Sequence, residues 1–178
     1  MTGPSLALRV ATSDDSRAVA RVHVAAWRRA YRGIVPDSYL DALDEESRVG
    51  RYTFDQTGPD DPVTWVALED GEVVGFATIG HTRDDAPVRG EVYALYVAPE
   101  SWRSGIGAVL MARAEERLVA AGFDEASLWV LKDNSRGRRF YEACGWQHDG
   151  SELSADFDGL EVVEVRYTKT LGATSSTT

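Results

Sequence analysis

The sequence has little cysteine, no long apolar run and no excess of positive charge. It holds one cysteine, Cys144, among 178 residues, so no disulfide can form within the chain. No stretch approaches the roughly 18 apolar residues that cross a bilayer. The first residues show no basic segment followed by an apolar one, as a secretion signal would. We therefore expect a cytoplasmic protein that does not enter a membrane.

The charge balance argues against nucleic acid as a partner. The formal net charge is −10, whereas phosphate-backbone binding needs a basic surface. The acidic surface of this chain serves solubility, or it attracts a cationic acceptor over a distance. The histidines show no metal-ligand spacing, so no metal site is predicted. The length suits one domain, which we place at 1–171, followed by a disordered tail at 172–178.

The order of strands and helices predicts a mixed α/β fold. Asp70-Gly71 is a tight hairpin signal between two strands. A strand, helix and strand from Glu91 to Leu131 must form a parallel, right-handed crossover. The sheet is therefore mixed, with helices on both faces. Expected strands are 6–11, 63–69, 72–80, 91–97, 126–131, 146–149 and 162–170; expected helices are 13–31, 37–43, 45–56, 105–121 and 134–143.

The loop Arg103-Ser104-Gly105-Ile106-Gly107-Ala108 joins a strand to a helix N-terminus. Free backbone N–H groups and the helix dipole form an anion site at such a point. The two glycines let the backbone approach a pyrophosphate, and Arg103 adds positive charge. A Walker A run is absent, and Leu110 replaces the third glycine of a dinucleotide fingerprint. An ordinary loop before a helix is the alternative.

Three motifs give the chain a resemblance to the GNAT acyltransferase superfamily. The run from Trp102 to Gly107 resembles its R/Q-x-x-G-x-G/A motif, with Trp102 in place of the usual Arg or Gln. The segment from Leu128 to Trp146 looks like the family's strand–Asn–helix–FYE–x–x–GF segment. Residues 24–33 are similar to the acceptor-side helix of a large bacterial branch. The resemblance spans about residues 6–171 and implies a mostly antiparallel sheet of six to seven strands.

This resemblance also implies an activity, the transfer of an acetyl group from acetyl-CoA to a primary amine by direct attack. It places the pyrophosphate on the glycine loop and the oxyanion on the backbone N–H of Val97. In the family the Asn of the second motif contacts pantetheine and the Tyr reaches the sulfur. Asn134 has an alternative role as a helix cap, and Tyr141 as a core aromatic. The expected acetyl-CoA contacts outside the loop are Leu95, Tyr96, Val97, Asn134 and Tyr141.

Glu91 is the expected general base, because some family members place a catalytic Glu at the start of this strand. Glu91, Tyr93 and Leu95 share one face of a regular strand, so Glu91 and Tyr93 would face the acceptor. Glu91 would take the ammonium proton directly or through water. A solvated carboxylate at a strand end is the alternative. Trp27 and Tyr31, with His23, would line the acceptor pocket or serve as core.

The sequence does not identify the acceptor or the oligomeric state. The acceptor is a small-molecule or peptide amine of unknown identity. A catalytically silent acyl-CoA-binding sensor is the alternative function. Dimers are frequent in the family, so a homodimer is an expectation. Cys144 is expected to be a small buried thiol, since no histidine lies near it in the sequence.

Overall fold

The computed structural model describes residues 5–55, 58–84 and 89–172; of the expected tail, residues 173–178 lie outside the described residues. Single 3-10 turns precede α1 and follow β4. The strands are β1 (Leu6–Val10), β2 (Val63–Glu69), β3 (Glu72–His81), β4 (Gly90–Val97), β5 (Glu125–Leu131), β6 (Gln147–Phe157) and β7 (Leu160–Thr170). The helices are α1 (Ser16–Ala30), α2 (Asp37–Ala42), α3 (Glu45–Val49), α4 (Ile106–Ala120) and α5 (Ser135–Ala143).

The strands form one 7-stranded sheet in the order β1-β2-β3-β4-β5-β7-β6. Only the β4–β5 pair is parallel, and the other neighbours are antiparallel. Asp70 and Gly71 both have positive φ, at 49° and 88°, as the predicted hairpin turn requires. The mixed, mostly antiparallel sheet and the parallel crossover are confirmed.

Helices cover both faces of the sheet. On one face, Val19 and Val22 of α1 pack in a buried cluster with Phe76, against which Tyr96 also packs. On the other, Leu110 of α4 packs with Val97. Because Tyr96 and Val97 are consecutive on β4, their side chains point to opposite faces of the sheet. The face covered by α1 therefore carries the helix that we expect to lie beside the acceptor.

The two central strands separate part-way along their length. The β4–β5 ladder pairs only Gly90–Val92 with Ala126–Leu128, whereas β4 stays paired with β3 as far as Val97. Opposite β3, the register shifts between Thr78 and Ile79, which leaves Tyr93 as an extra residue on β4. Such a bulge bends a strand. The bend accompanies a gap between the carboxyl ends of β4 and β5, immediately before the glycine loop.

The last hairpin is longer than the sequence pattern predicted. β6 extends to Phe157, well past the expected end at residue 149, and pairs with β7 on both sides of a register break between His148 and Glu152. Its side chains are mostly exposed, so no apolar alternation reveals the strand. The helix expected over 45–56 is also shorter, ending at Val49.

The start of α1 depends on a buried carboxylate. Asp15 accepts two hydrogen bonds from the Arg9 guanidinium, at 2.6 and 2.8 Å, and one from the Thr12 N–H at 2.8 Å. These contacts, above all those from Arg9, lower the pKa of Asp15 below its ordinary value of 3.8. The carboxylate thus joins β1 to α1.

We expect Asp15→Asn to lower the free energy of unfolding by about 1–3 kcal/mol at pH 7, because charge-assisted hydrogen bonds are lost. A carboxyl with a lowered folded pKa stabilises above its unfolded pKa, and the stabilisation disappears as pH falls through the folded value. Urea unfolding at pH 7 and at acid pH measures this difference. Asp14→Asn, at an exposed neighbour, is the control, and equal losses in both variants would contradict the assignment.

Candidate active site

A cavity of about 690 Å³ opens at the gap between β4 and β5, within the size range of small-ligand sites. It extends from the glycine loop to α1, α3 and the tip of the β6–β7 hairpin. Two expected site residues, Glu91 and Ser104, are not on its lining. The expected residues that do line it are Trp27, Tyr31, Tyr93, Leu95, Tyr96, Val97, Arg103, Gly105, Ile106, Gly107, Ala108, Asn134 and Tyr141.

One end of the cavity is the N-terminus of α4. Gly105 precedes the helix with φ of 88°, a left-handed conformation that a glycine adopts without strain. The Ser104 hydroxyl donates to the Ser101 carbonyl at 2.6 Å and closes the loop on itself. The first backbone N–H groups of α4 have no partner within the helix, so this end of the cavity can bind an anion.

A basic cluster of Arg29, Arg103 and Arg136 lies at that end, with Arg103 and Arg136 on the cavity lining and Arg29 near Arg136. The pKa of Arg136 is lowered by burial and then by the neighbouring charges of Arg103 and Arg29. Among the described residues, none of these three arginines forms an ion pair with an acid. Positive charge is therefore left uncompensated here, although the chain carries −10 overall. Arg136, in the first turn of α5, was not among the expected site residues.

Trp102 connects the loop to both the strand and the cluster. Its indole N–H donates to the Val97 carbonyl at 2.7 Å. The Arg136 guanidinium lies over its ring, 3.3 Å from the centroid. A cation over an indole face is attracted to it, so Trp102 holds Arg136 beside the helix N-terminus. Trp102 stands where the resembling motif usually has Arg or Gln, and its ring supports Arg136 instead.

The gap between the strands exposes backbone donors of β4. The Ala98 N–H donates to the Val74 carbonyl of β3 at 2.7 Å. Because donors alternate along an antiparallel strand, the N–H groups of Leu95 and Val97 point away from β3, toward β5. At this level β5 no longer pairs with β4. The Val97 N–H, which is expected to face the oxyanion, therefore points into the gap.

Tyr141 and Asn134 reach the cavity from α5. Burial is the main cause that raises the pKa of Tyr141 well above its ordinary value, so the phenol keeps its proton at neutral pH. The Asn134 side chain accepts a hydrogen bond from the Gly137 N–H at 2.9 Å and caps α5. The alternative role of Asn134 as a helix cap is therefore present in the structure.

Aromatic side chains of α1 form the acceptor end of the cavity. Trp27 stacks on His23 with ring centroids 5.4 Å apart, and meets the edge of Tyr31 at 4.7 Å. Phe157, at the hairpin tip, packs edge-on against Trp27 at 5.6 Å. Burial, with the charges of Arg48 and Arg51, lowers the pKa of His23 to about 3. His23 is therefore neutral at physiological pH.

The structure does not bring Glu91 to the cavity surface. Its side chain is 0% exposed, and its carboxylate accepts hydrogen bonds from the backbone N–H of Arg83 at 2.8 Å and from the Arg83 guanidinium. The expectation that Glu91, Tyr93 and Leu95 share one face is wrong. Because Tyr93 is the bulged residue, Leu95 packs on the α4 side together with Val92, the neighbour of Glu91.

The described residues contain neither a membrane-spanning helix nor a cluster of metal ligands. None of their helices combines the length and apolar character needed to span a bilayer. No group of three or more His, Cys, Asp and Glu side chains within 5–55, 58–84 and 89–172 could hold a metal ion.

Comparison with known proteins identifies the family. The profile of the acetyltransferase (GNAT) family matches residues 22–146. The uncharacterized N-acetyltransferase YuaI of Bacillus subtilis (strain 168) is 33% identical over 131 residues, 71% of this chain and 72% of that protein. A probable N-acetyltransferase of Mycobacterium tuberculosis is 30% identical over 170 residues, 94% of this chain and 95% of its own length. The chain belongs to the GNAT acetyltransferase family.

The fold of a solved relative agrees with this assignment. The PaiA N-acetyltransferase of Thermoplasma acidophilum, solved in complex with coenzyme A, superposes with a TM-score of 0.67 at 23% identity, covering 93% of this chain and 99% of its own. The protein is an N-acetyltransferase that takes the acetyl group from acetyl-CoA. Its own residues fit that donor, since the α4 N-terminus and the basic cluster match the negative charge of CoA phosphates.

We expect Arg136→Glu in this acetyltransferase to weaken acetyl-CoA binding about 10- to 100-fold, because a charge-assisted contact is replaced by repulsion. Isothermal titration at low salt measures the Kd, and the difference shrinks as salt screens the charges. Arg117→Glu makes the same charge change on an exposed residue at the far end of α4 and serves as the control. Equal Kd values for the two variants would rule out a phosphate contact by Arg136.

Proposed function

We propose that the enzyme acetylates a primary amine by direct attack, with the acceptor held between α1, α3 and the tip of the β6–β7 hairpin. One observation carries the proposal, the gap between β4 and β5 that is bordered by the Val97 N–H and by Tyr141. Direct attack is supported by Cys144, whose thiol pKa is raised by burial. A thiol that keeps its proton is a poor nucleophile.

The residues around the gap divide the chemistry among them. The Val97 N–H stabilises the negative charge that develops on the acetyl carbonyl oxygen. The amine nitrogen forms a bond to the carbonyl carbon while the bond from carbon to sulfur breaks. Tyr141 donates its phenolic proton to the leaving sulfur, and its raised pKa keeps that proton available.

The cofactor end positions the thioester for this step. The N–H groups at the start of α4, from Gly105 to Ala108, hold the pyrophosphate, with Arg103 and Arg136 as its charged partners. Asn134 keeps α5 in place as its cap, and its amide contacts the pantetheine arm. Tyr96 and Val97 flank the acetyl and pantetheine parts. This fixed geometry supplies much of the rate by placing the reacting atoms together.

The acceptor end recognises the amine-bearing molecule. Trp27 and Tyr31 offer an aromatic wall for its apolar part, and Tyr93 borders the far side of the cavity. A small molecule or the end of a peptide fits a cavity of about 690 Å³ that is open to the surface. We place the enzyme in a reducing cytoplasm, in keeping with its free Cys144. A homodimer, frequent in the family, is also part of the proposal.

The test combines acetyl-CoA with a panel of primary amines, including polyamines, amino acids and short peptides, and follows the release of free CoA. Saturable release with one class of amine, with mass spectrometry showing acetylation at nitrogen, is the expected result. Tight binding of acetyl-CoA with release from no amine would favour a silent acyl-CoA sensor.

We expect Tyr141→Phe to lower kcat about 100-fold or more, because the leaving sulfur loses its proton donor. The Kd for acetyl-CoA should change less than about threefold, since the hydroxyl acts mainly as the bond breaks. Single-turnover kinetics and titration calorimetry separate the two quantities.

The control for this variant is Tyr167→Phe. The Tyr167 hydroxyl donates to Glu142 at 2.7 Å and accepts from Arg138 at 3.0 Å, away from the cavity lining. Its loss should lower the Tm and leave kcat close to that of the unmodified enzyme. A Tyr141→Phe enzyme with normal kcat would remove Tyr141 from the mechanism.

A further inference from the structure

Glu164 is a cavity carboxylate without a partner among the described residues. It lies on β7, paired in register with Leu131 at the end of β5, next to the gap. It lines the cavity and is half-buried. Within the described parts of the chain, its carboxylate takes part in no hydrogen bond and no ion pair. A half-buried carboxylate in that position is available to a ligand.

The other acids near the acceptor end are already engaged. Asp158 accepts hydrogen bonds from the Arg51 guanidinium at 2.8 and 3.0 Å and from Arg48 at 3.5 Å. Asp156 accepts one from the Gly159 N–H at 2.9 Å within the hairpin turn. Glu91 lies beneath the surface against Arg83. Glu164 is therefore the described cavity acid whose oxygens are not committed to other groups.

The surroundings of Glu164 suit a proton acceptor. Two phenols, Tyr31 directly after α1 and Tyr96 of β4, are close enough that its charge contributes to their raised pKa values, after burial as the main cause. Arg83 and Glu91 are the charged groups that face it. Burial raises the pKa of Glu164, the charge of Arg83 opposes that rise, and the charge of Glu91 adds a smaller one. The carboxylate is thus more basic than a surface glutamate.

We propose that Glu164 is the general base that takes the proton of the acceptor ammonium, directly or through one water. This inference rests on the proposed function. The ammonium nitrogen loses two protons in the reaction. Glu164 passes the first to solvent. The second, lost when the bond from nitrogen to carbon forms, balances the proton that Tyr141 gives to the sulfur of CoA.

The assignment narrows the class of acceptor. A carboxylate base serves an aliphatic primary amine that arrives protonated, and the ion pair also draws that cation into the cavity. A nucleophile that is uncharged at neutral pH, such as hydroxylamine, needs no such help. In this arrangement Glu91 is a positioning residue, since it holds Arg83 beside Glu164.

The experiment compares Glu164→Gln with the unmodified enzyme on two acceptors, the best alkylamine of the panel and hydroxylamine. Loss of a general base should lower kcat/KM for the alkylamine by about 10²- to 10⁴-fold at pH 7. The loss should shrink as pH rises toward the pKa of the amine. Turnover of hydroxylamine and the Kd for acetyl-CoA should change less than about threefold. Glu161→Gln, an exposed acid on the same strand, is the control.

The pH profile gives a second readout. A base with a raised pKa loses activity as pH falls through that value, so kcat/KM of the unmodified enzyme should show an acid limb that Glu164→Gln lacks. Normal alkylamine turnover by Glu164→Gln, or equal losses on both acceptors, would overturn the inference and leave the proposed function intact. Release of CoA from no alkylamine by the unmodified enzyme would overturn the proposed function, and the role of Glu164 with it.

Discussion

The separation of β4 from β5 after Val92 is the constraint on which the rest of the site depends. If β4 and β5 stayed paired, the Val97 N–H would donate to β5 and the space between β4 and α5 would be closed. The bulge at Tyr93 lets β4 bend while β3 continues to hold it as far as Val97. One interrupted ladder therefore leaves the Val97 N–H unpaired with β5 and opens the cavity beside the α4 N-terminus, where we propose that the oxyanion and the thioester lie.

Charge is distributed unevenly along this channel. The chain carries −10 overall, yet Arg29, Arg103 and Arg136 gather at the phosphate end without acidic partners among the described residues. Their mutual repulsion costs free energy, and a polyanion bound there would offset that cost. At the acceptor end, Asp158 pairs with Arg48 and Arg51, and Glu164 forms no ion pair with any described residue. The phosphate end is therefore positive, whereas the acceptor end mixes both signs and carries Glu164, which suits the cationic amine that we propose as acceptor.

Local patterns predicted the elements and the cofactor end, and tertiary geometry decided the rest. The glycine loop, the Asp70-Gly71 turn and the segment from Asn134 to Gly145 carry their signals within a few residues. The pairing of Trp102 with Arg136 joins positions far apart in the chain, so no local pattern shows it. The polar β6 strand exists because β7 pairs with it, and its own side chains alternate too little to reveal it.

The choice between two glutamates follows from the same geometry. Sequence spacing assumes a regular strand, in which Glu91 would share the α4 face of Leu95 and Val97. The bulge at Tyr93 instead leaves Glu91 on the face opposite Val92, which is the α1 face, and there Arg83 encloses its carboxylate. Both oxygens of that carboxylate accept hydrogen bonds from Arg83, and the side chain is 0% exposed, so it does not reach an amine in the cavity. Glu164 reaches the cavity from the other side of the gap, on β7, the antiparallel partner of β5, and no described residue binds its carboxylate oxygens.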